Sequence, residues 1–192
     1  MKELKERIVK EGLVIPPNIL KVGSFLNLQV DPVLMEQIGE DFANHFAGKG
    51  VTKVVTIESS GIAPALMAAK AMRVPLVILK KKPSKILNSN LYQTEVTSFT
   101  TQTSYELTLS AEYINENDHV LIIDDFLADG EAATGAIRLM RMAHATVAGI
   151  GILIEKSFQP GHDKLVAQGF DVYSQARIAS MDKKNGVHFV EE

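Results

Sequence analysis

The segment Val120-Leu121-Ile122-Ile123-Asp124-Asp125-Phe126-Leu127-Ala128-Asp129-Gly130-Glu131-Ala132-Ala133 constrains this chain more than any other stretch. Its opening apolar run reads as a strand buried on both faces, the habit of a parallel sheet. Two adjacent acids close the run, and a short loop then turns through Gly130 into a helix reaching about Met142. In a parallel sheet, ligands sit outside the carboxyl ends of the strands. Two kinds of chemistry meet at that place here. Adjacent carboxylates accept hydrogen bonds from vicinal hydroxyls, as on a ribose, while the free amides of a loop and helix start cradle a phosphate with help from the helix dipole. A ribose 5-phosphate is the smallest ligand that uses both.

The surrounding pattern is α/β. Lys53–Ile57, residues 75–79 and residues 147–154 are further short apolar runs, and an alanine-rich helix over Ile62–Met72 follows the first of them. Asp31-Pro32 is a helix start, a capping acid followed by proline at the first helical position. Beyond it Leu34, Ile38, Phe42 and Phe46 recur at helical spacing and belong in the core. Residues 1–11 read as a short helix with Leu4 and Ile8 on one face and Gly12 as its stop. The alternating pattern predicts one domain: a mostly parallel central sheet flanked by helices, with a core over about 31–155. The two ends, about 1–30 and 156–192, are expected to pack together as a small cap above the sheet edge. Residues 80 to about 104 are polar with weak strand alternation, an excursion of a length usually reserved for function or disorder.

Composition narrows the functional classes. At 192 residues with a net charge of −3, the chain has the size of one domain and no basic stripe for nucleic acid. It contains no cysteine, which removes disulfides, zinc-thiolate sites and thiol nucleophiles. His45, His119, His144, His162 and His188 stand alone, without a second ligand at helical spacing, so no protein metal site is expected. The first residues carry no long apolar stretch, so neither a signal peptide nor a membrane anchor is read there, and a cytoplasmic location is expected. No P-loop, GxGxxG or GxSxG sequence occurs.

Two loops sit where strand ends should converge with the acidic pair. Glu58-Ser59-Ser60-Gly61 leaves the first strand with serines and amides suited to an anion, and Gly61 permits close backbone approach; read blandly, it is a β–α turn whose serine caps a helix. Lys80-Lys81-Lys82-Pro83-Ser84-Lys85 leaves the second. Lys80 and Lys81, next to the strand end, are the cations best placed for chemistry, whereas Lys82 and Lys85 read as solvated.

The segment around Asp124 and Asp125 resembles the 5-phosphoribosyl-1-diphosphate (PRPP) signature of the type I phosphoribosyltransferases, and the likeness to the purine enzymes of that family runs from the first helix to about Arg177. It departs from the commonest pattern at Ala128 and Asp129, positions often held by threonine; the Asp129 side chain is expected to turn outward while its amide points in. The resemblance implies the type I fold with a cap, or hood, and a mobile catalytic loop opened by the lysine run. It implies Asp124 and Asp125 on the ribose, Ala128, Asp129, Gly130, Glu131 and Ala132 on its phosphate, and Glu58, Ser59, Ser60 and Gly61 on pyrophosphate. Lys80 and Lys81 would neutralise the leaving group. Mg²⁺ would be held mainly by substrate oxygens. The runs Leu20-Lys21-Val22, Ser24-Phe25-Leu26-Asn27 and Ile154-Glu155-Lys156-Ser157-Phe158-Gln159-Pro160-Gly161 match the xanthine-using members, which implies base contacts at Leu20, Asn27 and Lys156. Phe158 can stack on the ring or pack within the cap. A guanine, hypoxanthine or adenine specificity is the alternative among enzymes. A PRPP-sensing regulator is the alternative outside them, although residues before Lys53 contain no basic recognition helix. A homodimer is expected by analogy alone.

Overall fold

The computed structural model describes residues 1–81, 90–98 and 103–191. The chain opens with α1 (Lys2–Glu11), a small hairpin of β1 (Leu13–Ile15) and β2 (Ile19–Lys21), and one wide helical turn over Gly23–Asn27. There follow α2 (Pro32–His45), β3 (Lys53–Ile57), α3 (Ile62–Met72), β4 (Leu76–Leu79), β5 (Leu91–Ser98) and β6 (Thr103–Ser110). The remainder is β7 (His119–Leu127), α4 (Glu131–Met142), β8 (Thr146–Lys156), α5 (Gly161–Val166), β9 (Val172–Asp182) and β10 (Gly186–Phe189).

Six strands form the central sheet in the order β10-β9-β8-β7-β3-β4. All neighbours run parallel except β9 and β10. Alternation along β7 divides the core: Leu121 and Ile123 face α1, α2 and α3, where Leu4, Ile8, Leu34, Ile38, Phe42 and Ala65 are buried. Val120 and Ile122 face α4 and α5, with Ala136, Ile137, Met140 and Leu165. The cap of α2 forms as its sequence dictates, since Asp31 Oδ1 accepts from the amides of Val33 and Leu34 at 3.0 and 3.1 Å. The other oxygen of that carboxylate accepts from Arg7 Nη1 at 2.8 Å and ties α1 to α2.

Three features differ from the sequence reading. The strand carrying Asp124 and Asp125 continues through them to Leu127, because Asp124, Phe126 and Leu127 keep their register with Ile152, Ile154 and Glu155 on β8. The described part of the polar stretch beyond Lys80 pairs with itself: β5 and β6 form an antiparallel hairpin whose Val96, Leu107 and Leu109 pack on the α4 side of the sheet. The segment beyond Lys156, expected in the cap, instead extends the central sheet by β9 and β10. Its partner in the expected cap does meet it there, as Leu4 and Ile8 of α1 share one core with Ile178 and Met181 of β9. Lys82, Pro83, Ser84 and Lys85 lie outside the described residues. No helix among the described residues is long and apolar enough to cross a membrane.

Candidate active site

Because β7 lies between β3 and β8, the ends of these three strands deliver residues 58–61, 124–132 and 156–161 side by side. A cavity of about 270 Å³ opens there. Glu58, Ser59, Ser60, Lys81, Asp124, Asp125, Asp129, Glu131 and Ala132 line it, so three segments singled out from sequence converge on one space. The hairpin of β5 and β6 adds Val96, Thr97 and Tyr105, and β7 adds Phe126. Phe126 lies within the segment read first, whereas Val96, Thr97 and Tyr105 carried no contiguous signal; Tyr105 is one aromatic in a polar stretch, distinguishable only once the hairpin folds over the cavity.

Asp124 is the floor of the site and is 8% exposed. Burial pushes its carboxyl well above the ordinary range, and the neighbouring Asp125 charge pushes it further, with Lys81 opposing. One carboxylate oxygen accepts from the Asp125 amide at 3.0 Å. The Thr56 hydroxyl beneath is buried without a hydrogen-bond partner among the described residues. Gly61 explains how these groups crowd together: a Cβ there would fall 2.3 Å from Thr56 Oγ1 and 3.2 Å from Asp124 Oδ1. The close approach predicted for Gly61 is thus made to Thr56 and Asp124 of the protein itself.

Glu58 organises cations. Lys80 Nζ donates to its Oε2 at 3.1 Å, and the Lys81 amide donates to its Oε1 at 2.7 Å. Burial raises the Glu58 carboxyl, but the Lys81 amide and the Lys80 ammonium outweigh it, and the group stays below its ordinary value. The two lysines therefore divide roles. Lys80 is spent on Glu58, whereas the Lys81 ammonium faces the cavity, 5.4 Å from the centre of the Tyr105 ring. Burial raises the Tyr105 hydroxyl, as do the charges of Asp124 and Asp129.

At 128–132 the chain turns sharply into a helix start. Gly130 has φ of 83°, a left-handed conformation suited to glycine, and α4 starts at the next residue. Asp129 corrects the expectation of an outward side chain: it lines the cavity, and its Oδ1 accepts from the Glu131 amide at 3.2 Å. A carboxylate here occupies a helix-start amide of the kind an anion would use. Ala128 and Gly130 supply backbone without lining the cavity.

On the β8 side, Lys156 is 8% exposed and donates to the carbonyl of Asn18 at 2.8 Å, with its ammonium 5.6 Å from the Phe126 ring centre. Burial lowers its pKa. Phe158 is 41% exposed, which disfavours its reading as a packed cap residue. It lines a second cavity of about 440 Å³ with Asn18, Thr97, Asp129, Glu131 and Lys164, so the two spaces share a wall. Asn18, in the turn at residues 16–18, was not singled out from the sequence. Leu20 and Asn27 line neither cavity: Leu20 is buried in the α1 core, and Asn27 is exposed at the end of the wide turn.

The model of the phosphoribosyl transferase domain matches residues 33–181. The chain belongs to that family, and it is a pentosyl-transferring enzyme with the type I fold. It is 73% identical to the xanthine phosphoribosyltransferase of Agathobacter rectalis over the whole of both chains. It is 52% identical to that of Bacillus cereus over 100% of this chain and 97% of the other. Among solved structures, the adenine phosphoribosyltransferase of Rhodothermus marinus superposes with a TM-score of 0.74 at 25% identity, covering 91% of this chain and 98% of that one. The Giardia lamblia APRTase bound to 9-deazaadenine gives 0.76 at 21% identity over 90% and 96%, a likeness of fold alone.

Proposed function

We propose that this chain transfers the 5-phosphoribosyl group of PRPP to N9 of xanthine, forming xanthosine 5′-monophosphate and pyrophosphate in purine salvage. The observation that carries the reading is the single cavity in which the acidic pair, the loop at 128–132, the turn at 58–61 and Lys81 meet. The full-length identity to xanthine phosphoribosyltransferases supports the choice of base.

In the reaction, the N9–C1 bond forms and the C1–oxygen bond to pyrophosphate breaks, the electron pair leaving with pyrophosphate. Positive charge grows on the ribose at C1, so catalysis is electrostatic placement. Asp124 and Asp125 accept from the ribose hydroxyls and fix the ring. The amides of 128–132 hold its 5-phosphate. Ser59, Ser60 and the backbone of Glu58 and Gly61 receive pyrophosphate, and Lys81 neutralises its growing charge, while Lys80 acts through Glu58. Lys156 donates to a carbonyl oxygen of the base and stabilises its anion, which attacks without an assigned general base. Leu20 and Asn27, which line neither cavity, are given no role in this reading.

Mg²⁺ fits this donor set. The carboxylates of Asp124 and Asp125 are hard oxygen donors beside the place for substrate phosphates, the combination that ion favours. It would be held chiefly by pyrophosphate and ribose oxygens, with these acids on the protein side, and when bound it offsets pyrophosphate charge. A cytoplasmic homodimer completes the proposal.

The test is kcat/KM for nucleotide formation from PRPP and Mg²⁺ with xanthine, guanine, hypoxanthine and adenine in turn. Preference for xanthine is expected. Preference for another base overturns the specificity while keeping the PRPP site, and PRPP binding without turnover on any base leaves a sensing protein.

A further inference from the structure

The segment that leaves β8 does more than carry Lys156 and Phe158. Its Gly161 amide donates to the Ala128 carbonyl at 2.9 Å. A Cβ on Gly161 would lie 2.5 Å from Ala128 O and 2.8 Å from Gly130 N, and one on Gly130 would lie 3.1 Å from Gly161 Cα. These neighbours are backbone and cannot rotate aside, although the Leu127 side chain, with Cδ1 2.9 Å from the same Cβ, can. Three residues on, Lys164 Nζ donates to the Asp129 carbonyl at 3.2 Å and stands 3.4 Å from Glu131 Oε1. Toward the sheet the same segment is anchored by Glu155, which is fully buried. Its carboxylate accepts from Ser157 Oγ, Ser174 Oγ and Arg177 Nε and pairs with His162 Nδ1 at 2.9 Å. Residues 155–164 are thus pinned to the sheet at one end and pressed backbone-to-backbone against residues 128–130 at the other.

We propose that Gly161 is a positioning residue for the phosphate-binding loop and that residues 155–164 form a strut fixing that loop relative to the base pocket. The proposal rests on the reading of 128–132 as the loop that holds the 5-phosphate of PRPP. Gly161 touches no substrate; it acts through Ala128 and Gly130, whose backbone sets where the cradle's amides point. Any side chain at 161 drives the loop away from β8, and a displacement of about 1 Å is enough to spoil aligned donors.

The experiment compares Gly161→Ala with wild type for KM of PRPP, KM of xanthine, kcat and melting temperature. The expected result is a rise of at least about tenfold in KM for PRPP, the worth of one charge-assisted hydrogen bond, with KM for xanthine within about twofold. A glycine that merely serves stability would lower the melting temperature and the active fraction while leaving KM for PRPP unchanged, and that result overturns the proposal. Should Gly161→Ala fail to fold, Lys164→Ala reads the same contact from the solvent side; it is expected to raise KM for PRPP about two- to tenfold, and no change overturns the strut. Ala132→Asp separates the two layers of argument, since it places a carboxylate in the cradle itself. If Ala132→Asp raises KM for PRPP and Gly161→Ala does not, the strut fails alone. If neither variant moves it, the assignment of 128–132 to the phosphate fails, and the strut with it.

Discussion

Asp124 and Glu155 stand on neighbouring strands, β7 and β8, almost equally withdrawn from water, and their acidities move in opposite directions. Burial raises both. At Glu155 the hydroxyls of Ser157 and Ser174, the Arg177 guanidinium and the charge of His162 outweigh that penalty, and the carboxyl sits below its ordinary value. At Asp124 the neighbouring charge is a second carboxylate, and the carboxyl sits well above. The difference teaches how to read a buried acid. One whose oxygens the fold has satisfied is scaffold, whereas one left short of donors beside a like charge marks a place for outside donors, which in the proposed reaction are two ribose hydroxyls.

Three substitutions break or sharpen this comparison. Asp124→Asn is expected to have the largest effect, a fall in kcat/KM of about a hundredfold or more, as for removal of a group aimed at the transition state. Its stability should move the other way. A carboxyl raised by folding binds its proton more tightly in the native state, so its ionisation costs stability as pH rises from the unfolded value through the folded one. Asparagine escapes that cost, so the variant should melt higher than wild type at pH 8, by about 2–4 °C for each 1 kcal/mol, and the gap should close toward pH 4. A variant that melts lower at pH 8 would dissolve the contrast.

Glu155→Ala is expected to lower stability instead, by about 2–3 kcal/mol. That lies toward the low end for breaking a buried pair because Arg177 reaches solvent. Glu155 has a depressed pKa, so its contribution is present above the unfolded carboxyl range and is lost as pH falls through the folded value. Urea melts of Glu155→Ala and wild type should accordingly converge in acid; a constant gap would mean packing, not charge, is what the residue supplies. The smallest overall effect is expected from Lys156→Ala, which should raise KM for xanthine about ten- to a hundredfold and leave KM for PRPP and the melting temperature nearly unchanged. Unchanged xanthine kinetics would remove Lys156 from the base site.

What could be read in the sequence was what lies contiguous in it. Residues 120–133 contain strand, acids, loop and helix start in a row, and their partner loops end strands of obvious composition, so the segments that meet at the cavity of about 270 Å³ were visible. β9 was not, because Ser174, Gln175 and Arg177 interrupt any apolar rhythm; their partners Glu155 and Asp41 come from distant positions. Tyr105 and Thr97 belong to a hairpin whose buried residues, Val96, Leu107 and Leu109, are scattered among polar ones, so its pairing was not legible from an apolar rhythm. Asp129 was misjudged in direction because the Glu131 amide offers its carboxylate a local partner that no pattern announces. Leu20 and Asn27 were carried by resemblance alone, and the described arrangement keeps them apart from both cavities.

On the proposed role of Lys156, its hydrogen bond to the Asn18 carbonyl has a consequence for base capture. An ammonium carries three N–H donors, and Asn18 takes one of them. The turn at residues 16–18 thereby aims the cation before a base arrives, and the other donors are left for a purine oxygen. A base with no oxygen at that place gains nothing from a donor already held in position, so selectivity at this contact depends on the hood as well as on the purine.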